Sequence, residues 1–129
     1  MKLLKSMTTS NELSLRLKEL GVEQKNGEYY WERYMDWVKD ENGEYNEDYV
    51  IEVINKDNFC FTEDTILCRA FTLGELVREL PECRIEKFTD KLGVVFTAQI
   101  VMHPLIYESR ISPEEAAGEL YYEILKSKL

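Results

Sequence analysis

The chain has 129 residues, 44% of them hydrophobic and 32% charged, with 25 acidic side chains against 16 basic ones and a formal net charge of −9. That length and composition suit one domain able to bury about two thirds of its unfolded surface, and exclude the low-hydrophobicity balance of a disordered chain. The charge excludes non-specific nucleic-acid binding, which rests on lysine and arginine neutralising phosphates. No apolar run approaches the roughly 20 residues that cross a bilayer.

The opening MKLLKSMTTS lacks an apolar stretch long enough for a signal peptide, so the expected location is the cytoplasm, without membrane association. A single domain over 1–129 is expected, with residues 1–8 flexible. Cys60, Cys68 and Cys83 are an odd number without CxxC spacing, which points to free thiols rather than a disulfide framework or zinc site.

In chain order, Thr9 and Glu12 form a capping-box pair ahead of Leu13, Leu17 and Leu20, which predicts a helix over 10–20. Gly21 followed by Val22 fits a Schellman-type stop in which Val22 folds back on Leu17. Tyr29 to Val38 reads as a strand, with Tyr29, Trp31, Arg33, Met35 and Trp37 on one face. Residues 40–48 carry five acids around the Asn42-Gly43 turn signal, and a second strand is expected from Tyr49 to Asn55. FCFTEDTILCRAF supplies a third strand, clearest from Thr65 to Phe71.

Thr72 and Glu75 repeat the capping box before a short helix that Pro81 stops. Cys83–Thr89 and Gly93–His103 make a second hairpin, the latter strand placing Val94, Phe96, Ala98, Ile100 and Met102 on one apolar face. Ser112, Pro113 and Glu115 join an N-cap, a proline at the first helical position and a reciprocal glutamate, opening a last helix. The expected fold is α+β, a mainly antiparallel sheet of about five strands with three helices, in the order α-β-β-β-α-β-β-α. Apolar residues on both faces of several strands leave either helices on both sides or one face as a subunit interface.

The combination of TSNELSLRLKELGV, an aromatic strand opening on YYW, AFTLGELVRELP and a closing SPEEAAGELYYEIL helix resembles a loose group of small proteins encoded by phages and prophages of Gram-positive bacteria, among them phage α-β-α sandwich domains. The likeness spans nearly the whole chain and is carried by cap, turn and core residues. It implies a small accessory protein acting in the host cytoplasm, binding a host partner and interfering with host defence. No functional residue is carried over by it.

The residues themselves offer little catalytic chemistry. His103 is the only histidine, sits at a strand end before Pro104, and reads as structural or exposed. No nucleophile elbow occurs. Asp40, Glu41, Glu44, Glu47 and Asp48 suggest calcium, yet Gly43 is fourth from Asp40 where an EF-hand loop needs its glycine sixth, so a solvated hairpin tip is expected and no metal. DNA mimicry by these acids is disfavoured by the basic residues spread among them.

Residues 27–54 hold five of the eight tyrosines and both tryptophans, which makes this stretch the candidate binding surface. One face of its first strand places Tyr29, Trp31, Arg33 and Trp37 together, and Arg69 on a neighbouring strand is a candidate second cation. A guanidinium between aromatic rings can hold an anionic, nucleotide-like ligand; equally, Arg33 can snorkel from the edge of the core toward a carboxylate. Tyrosine, tryptophan and methionine are also interface residues. The leading expectation is a non-enzymatic, cofactor-free protein that binds a host protein or self-associates. The alternative is a sponge for an anionic small molecule, and the third a structural or assembly accessory.

Overall fold

In the computed structural model, residues 7–57 and 65–128 are described. The element order is α1 (Asn11–Glu19), β1 (Tyr29–Lys39), β2 (Tyr45–Asn55), β3 (Ile66–Ala70), α2 (Leu73–Glu79), β4 (Cys83–Asp90), β5 (Gly93–Ile100), β6 (Ile106–Ser109) and α3 (Pro113–Ser127). The α+β class and the order of the expected elements are as read from the sequence. The single five-stranded sheet is not. Among the described residues, six strands divide into two antiparallel sheets of three, ordered β2-β1-β3 and β4-β5-β6. The sixth strand is β6, four residues between Pro104 and the last helix, paired to β5 from Phe96↔Ser109 to Gln99↔Ile106.

Helices lie between the sheets rather than flanking one. On α1, Leu13 and Leu17 join Leu76 and Leu80 of α2, Ala98 of β5, and Ala116, Ala117 and Leu120 of α3 in the main core, with Phe96, Ile100 and Tyr107 packed against it. Leu15 packs instead on a second cluster, Trp31, Val53, Cys68 and Ala70 of the first sheet. One helix thus serves two cores through side chains two positions apart, which lie on well-separated faces of a helix. Among the strands of the second sheet, β5 carries the expected apolar face through Phe96, Ala98 and Ile100, but it ends there. Met102 follows in a turn with φ 63° and is fully exposed, so the expected extension to His103 fails.

The helix ends explain where the elements begin. Val22 N–H donates to Leu17 O at 3.3 Å and Gly21 N–H to Lys18 O at 3.0 Å, with Gly21 at φ 89°, the Schellman pattern expected of this glycine. The Thr72–Glu75 capping box is complete in both directions. The first helix is corrected by one residue: Ser10, not Thr9, is its N-cap, accepting from Leu13 N–H. Its returning carboxylate is not Glu12 but Glu115, from the first turn of α3, which accepts the Ser10 N–H and, at 3.1 Å, the Ser10 hydroxyl. Glu115 therefore does not return to its own cap, although Ser112 Oγ accepts its N–H at 3.1 Å.

Thr9, released from capping, is a buried junction. Its backbone N–H donates to Phe71 O at 2.9 Å, its hydroxyl accepts from Phe71 N–H at 3.1 Å, and its carbonyl accepts the indole N–H of Trp31 at 3.0 Å. Thr8 is also buried and bridges Thr72; residues 1–6, the rest of the segment expected to be flexible, lie outside the described residues. The FCFTED portion of the third strand and Cys60 lie outside them as well. Cys68 is buried and Cys83 half-buried, both free.

Candidate functional site

The first hairpin is longer than expected because β2 starts at Tyr45 rather than Tyr49. Eleven cross-strand pairs run from Tyr29↔Asn55 to Lys39↔Tyr45. The turn that joins them is held by Asp40: its Oδ1 accepts the N–H groups of Asn42 and Glu44, both at 2.9 Å, its Oδ2 accepts Asn46 Nδ2 at 2.8 Å, and Gly43 takes φ 83°. These bonds, the one from the Glu44 backbone foremost, hold the Asp40 carboxyl below its ordinary range. Asp40, Glu41, Glu44, Glu47 and Asp48 all face solvent, and among the described residues no group of acids, histidines or cysteines could hold a metal ion.

Pairing between β3 and β1 reaches only Glu32 among the described residues, and a register shift falls at Trp31/Glu32. This divides the aromatic face of β1 in two. At the near end, Trp31 is 7% exposed and belongs to the second core, with Tyr29 half-buried against it. At the far end Trp37 is 62% exposed. The sequence places both tryptophans on one face, and α1 covers only the first.

Register decides what surrounds Trp37. Arg33 lies opposite Ile51, Met35 opposite Tyr49, Trp37 opposite Glu47 and Lys39 opposite Tyr45. Tyr45 is 65% and Tyr49 56% exposed, and Met35 and Ile51 are exposed too. The Arg33 guanidinium stacks on the Tyr49 ring, 3.9 Å from its centroid, and among the described residues it has no carboxylate partner. Arg33 thus resolves as a stacked cation rather than a snorkelling ion-pair member. Tyr49 and Ile51 lie within the strand expected from sequence and Tyr45 outside it; the register from the Asn42-Gly43 turn puts all three on the face of Trp37.

The opposite face of the arm is acidic. Glu32 is directly opposite Glu52 and Asp36 directly opposite Asp48, arrangements that repel unless a cation or a proton intervenes. Glu32 is buried and accepts from Thr65 Oγ1 at 2.5 Å, while Tyr34 donates its hydroxyl to Glu52 at 2.8 Å. That bond to Glu52, with burial and neighbouring charge, pushes the Tyr34 hydroxyl up to about 12.

Arg69 does not join Arg33. It is paired with Tyr30, on the other face of the sheet, and its guanidinium donates to Glu75 Oε2 at 2.6 Å and to Glu23 O at 3.1 Å, with its Cζ 4.5 Å from the Phe71 ring centroid. It pins the loop before β1 to the start of α2. Of the five residues predicted as one site, then, Arg33 and Trp37 share an exposed surface, Tyr29 and Trp31 support the core, and Arg69 is a separate structural link.

His103 Nδ1 accepts the Leu105 N–H at 3.1 Å, closing the turn after β5. Burial pushes the Cys68 thiol up to about 12, with Lys18 opposing weakly, so it stays protonated and is a poor nucleophile. Among the described residues, no helix is long and apolar enough to cross a membrane.

The chain matches no family model, no curated protein and no solved structure. Its function therefore rests on its own geometry.

Proposed function

We propose that the chain is a non-enzymatic binding protein that engages a basic protein surface through the far half of its β1–β2 arm. The carrying observation is the continuous exposed face of Arg33, Met35, Trp37, Tyr45, Tyr49 and Ile51, set by the register of the hairpin. Trp, Tyr and Arg dominate binding energy at protein interfaces, and an apolar patch on a monomer is a contact site more often than an accident. Cys68 is occupied in packing and His103 in a turn.

Charge selects the partner. The arm's other face opposes Asp36 to Asp48, its tip carries Asp40, Glu41 and Glu44, and Glu47 stands opposite Trp37. A cationic surface relieves that repulsion, and at a net charge of −9 a second copy of the chain is repelled on approach. In the setting implied by the resemblance to phage accessory proteins, the partner is a host protein in the cytoplasm, and stoichiometric occupation blunts its activity in defence.

The test begins with light scattering after gel filtration, where a monomer is expected and a concentration-dependent dimer would assign the face to self-association instead. A photo-crosslinker at position 37, used in host lysate, should then give one adduct that is lost on Tyr49→Ala or at raised salt. The same adduct surviving Tyr49→Ala and high salt would remove the arm from the reading.

A further inference from the structure

A cleft of about 590 Å³ opens beside β3, lined by none of the residues of the exposed aromatic face. It falls in the size range of small-molecule sites. Its described lining comes from separate parts of the chain: Lys18 in the last turn of α1, Lys25 in the loop before β1, Lys56 just after β2, and Tyr30, Ile66 and Leu67 from the sheet. No carboxylate stands among the described lining residues, in a chain with 25 acids.

We propose that this cleft binds a small phosphorylated molecule, held by Lys18, Lys25 and Lys56 with its less polar part against Ile66 and Leu67. Three like charges brought together from distant points of the chain repel one another unless an anion joins them. Lys18 is positioned for this: Nζ donates to Leu67 O at 2.8 Å, which fixes the ammonium at the wall and, among the described residues, leaves two of its three donors unused. Lys25 and Lys56 are exposed and make no side-chain hydrogen bond or ion pair among the described residues.

Apart from the buried Arg69 Nε, which has no hydrogen-bond partner among the described residues, the other polar groups of the wall are already engaged. Gln24 accepts from Arg69 N–H at 2.7 Å and donates to Val22 O at 2.9 Å. The Tyr30 hydroxyl donates to Lys25 O at 2.9 Å and accepts from Gly27 N–H at 3.1 Å. Arg69 is neutralised by Glu75. What remains is ammonium charge and an apolar wall, which recognises phosphates as point charges and does not read the edge of a base. The ligand class is accordingly a compact molecule with two or more phosphate charges, and its affinity follows phosphate number rather than base identity.

This site is separate from the arm, so the two readings fail independently. Calorimetric titration of the whole chain with pyrophosphate and with mono-, di- and triphosphates of adenosine and uridine should show affinity rising with phosphate number. It should be alike for the two bases and weaken as salt is raised. Lys25→Glu combined with Lys56→Glu, both at exposed positions, should weaken binding about tenfold or more with an unchanged unfolding midpoint, whereas Arg33→Ala should leave it as it is. The absence of heat with every ligand at millimolar concentration, binding retained by the double variant, or binding lost on Arg33→Ala would each overturn the proposal.

Discussion

Ser10 and Glu115 lie 105 positions apart, yet the backbone N–H and the hydroxyl of the first both donate to the carboxylate of the second. The capping box of α1 is thereby completed by a residue of α3. Burial raises the Glu115 carboxyl above its ordinary value of 4.5, with the Ser10 bonds opposing that rise. The folded chain then keeps this proton to higher pH than the unfolded chain does. Between 4.5 and the raised value, stability falls as pH rises, and above it the loss is complete. Glu115→Gln keeps an acceptor for the Ser10 N–H and cannot ionise. Urea titrations across this range should show the natural chain losing stability relative to the Gln variant as pH increases, while Glu115→Ala should cost about 1–3 kcal/mol throughout.

Gly118 allows α3 to approach α1. A Cβ there would come within 2.6 Å of Leu13 Cδ2 and 2.9 Å of Thr9 Cγ2. Leu13 and Thr9 are fully buried, and Thr9 is tied to Phe71 and Trp31, so neither can yield easily. Gly118→Ala should destabilise by about 1–3 kcal/mol although alanine favours a helix by about 1 kcal/mol. Gly74 in α2 has open space around it, and Gly74→Ala should stabilise by up to about 1 kcal/mol. Chemical denaturation of the two variants side by side gives opposite signs if close helix approach is the reason for Gly118.

Glu75 titrates in the opposite sense to Glu115. Burial acts to raise its carboxyl, but the Thr72 backbone N–H, the Arg69 guanidinium and the Thr72 hydroxyl outweigh it, and the net direction is down from 4.5. Its contribution to stability is present above 4.5 and is lost as pH falls through the lowered value. Glu75→Gln should remove that acid-side loss, and Glu75→Ala, which leaves Arg69 largely buried without its partner, should cost about 3–5 kcal/mol near neutral pH. An acid titration monitored by circular dichroism separates these outcomes.

The two tryptophans should behave as unlike residues. Trp31→Ala removes a buried ring and the bond to Thr9 O, and should cost about 3–5 kcal/mol. Trp37→Ala should change stability by no more than about 0.5 kcal/mol. Acrylamide should quench Trp37 readily and Trp31 little; equal quenching of the two single-tryptophan variants would contradict the division of the aromatic face.

Local signals were legible and non-local ones were not. The Gly21-Val22 stop, the Thr72–Glu75 box and the Ser112-Pro113 start involve bonds within a few residues, and each stands in the fold as the sequence implies. The Thr9 cap moved to Ser10 because its returning carboxylate comes from another helix, which no local spacing records. β6 has no clear sequence signal, since four residues, Ile106 to Ser109, carry too little pattern without β5 beside them. Trp31 and Trp37 have the same alternation, and the reach of β3 and α1 distinguishes them. The lysine cleft has no linear trace at all, because Lys18, Lys25 and Lys56 meet only when β3 closes beside α1.

The link from Ser10 to Glu115 also orders events during synthesis. A ribosome makes α1 early, but the carboxylate that completes its first turn is joined to the chain more than a hundred residues later. Until then the start of α1 lacks its partner from α3, and Leu13 lacks the helix face that covers it. Such distant closure is slow relative to local helix formation. The arm formed by β1 and β2 has no such dependence, since its register is set by its own turn. The register of the aromatic surface is therefore written locally, ahead of the contacts that seal the body carrying it.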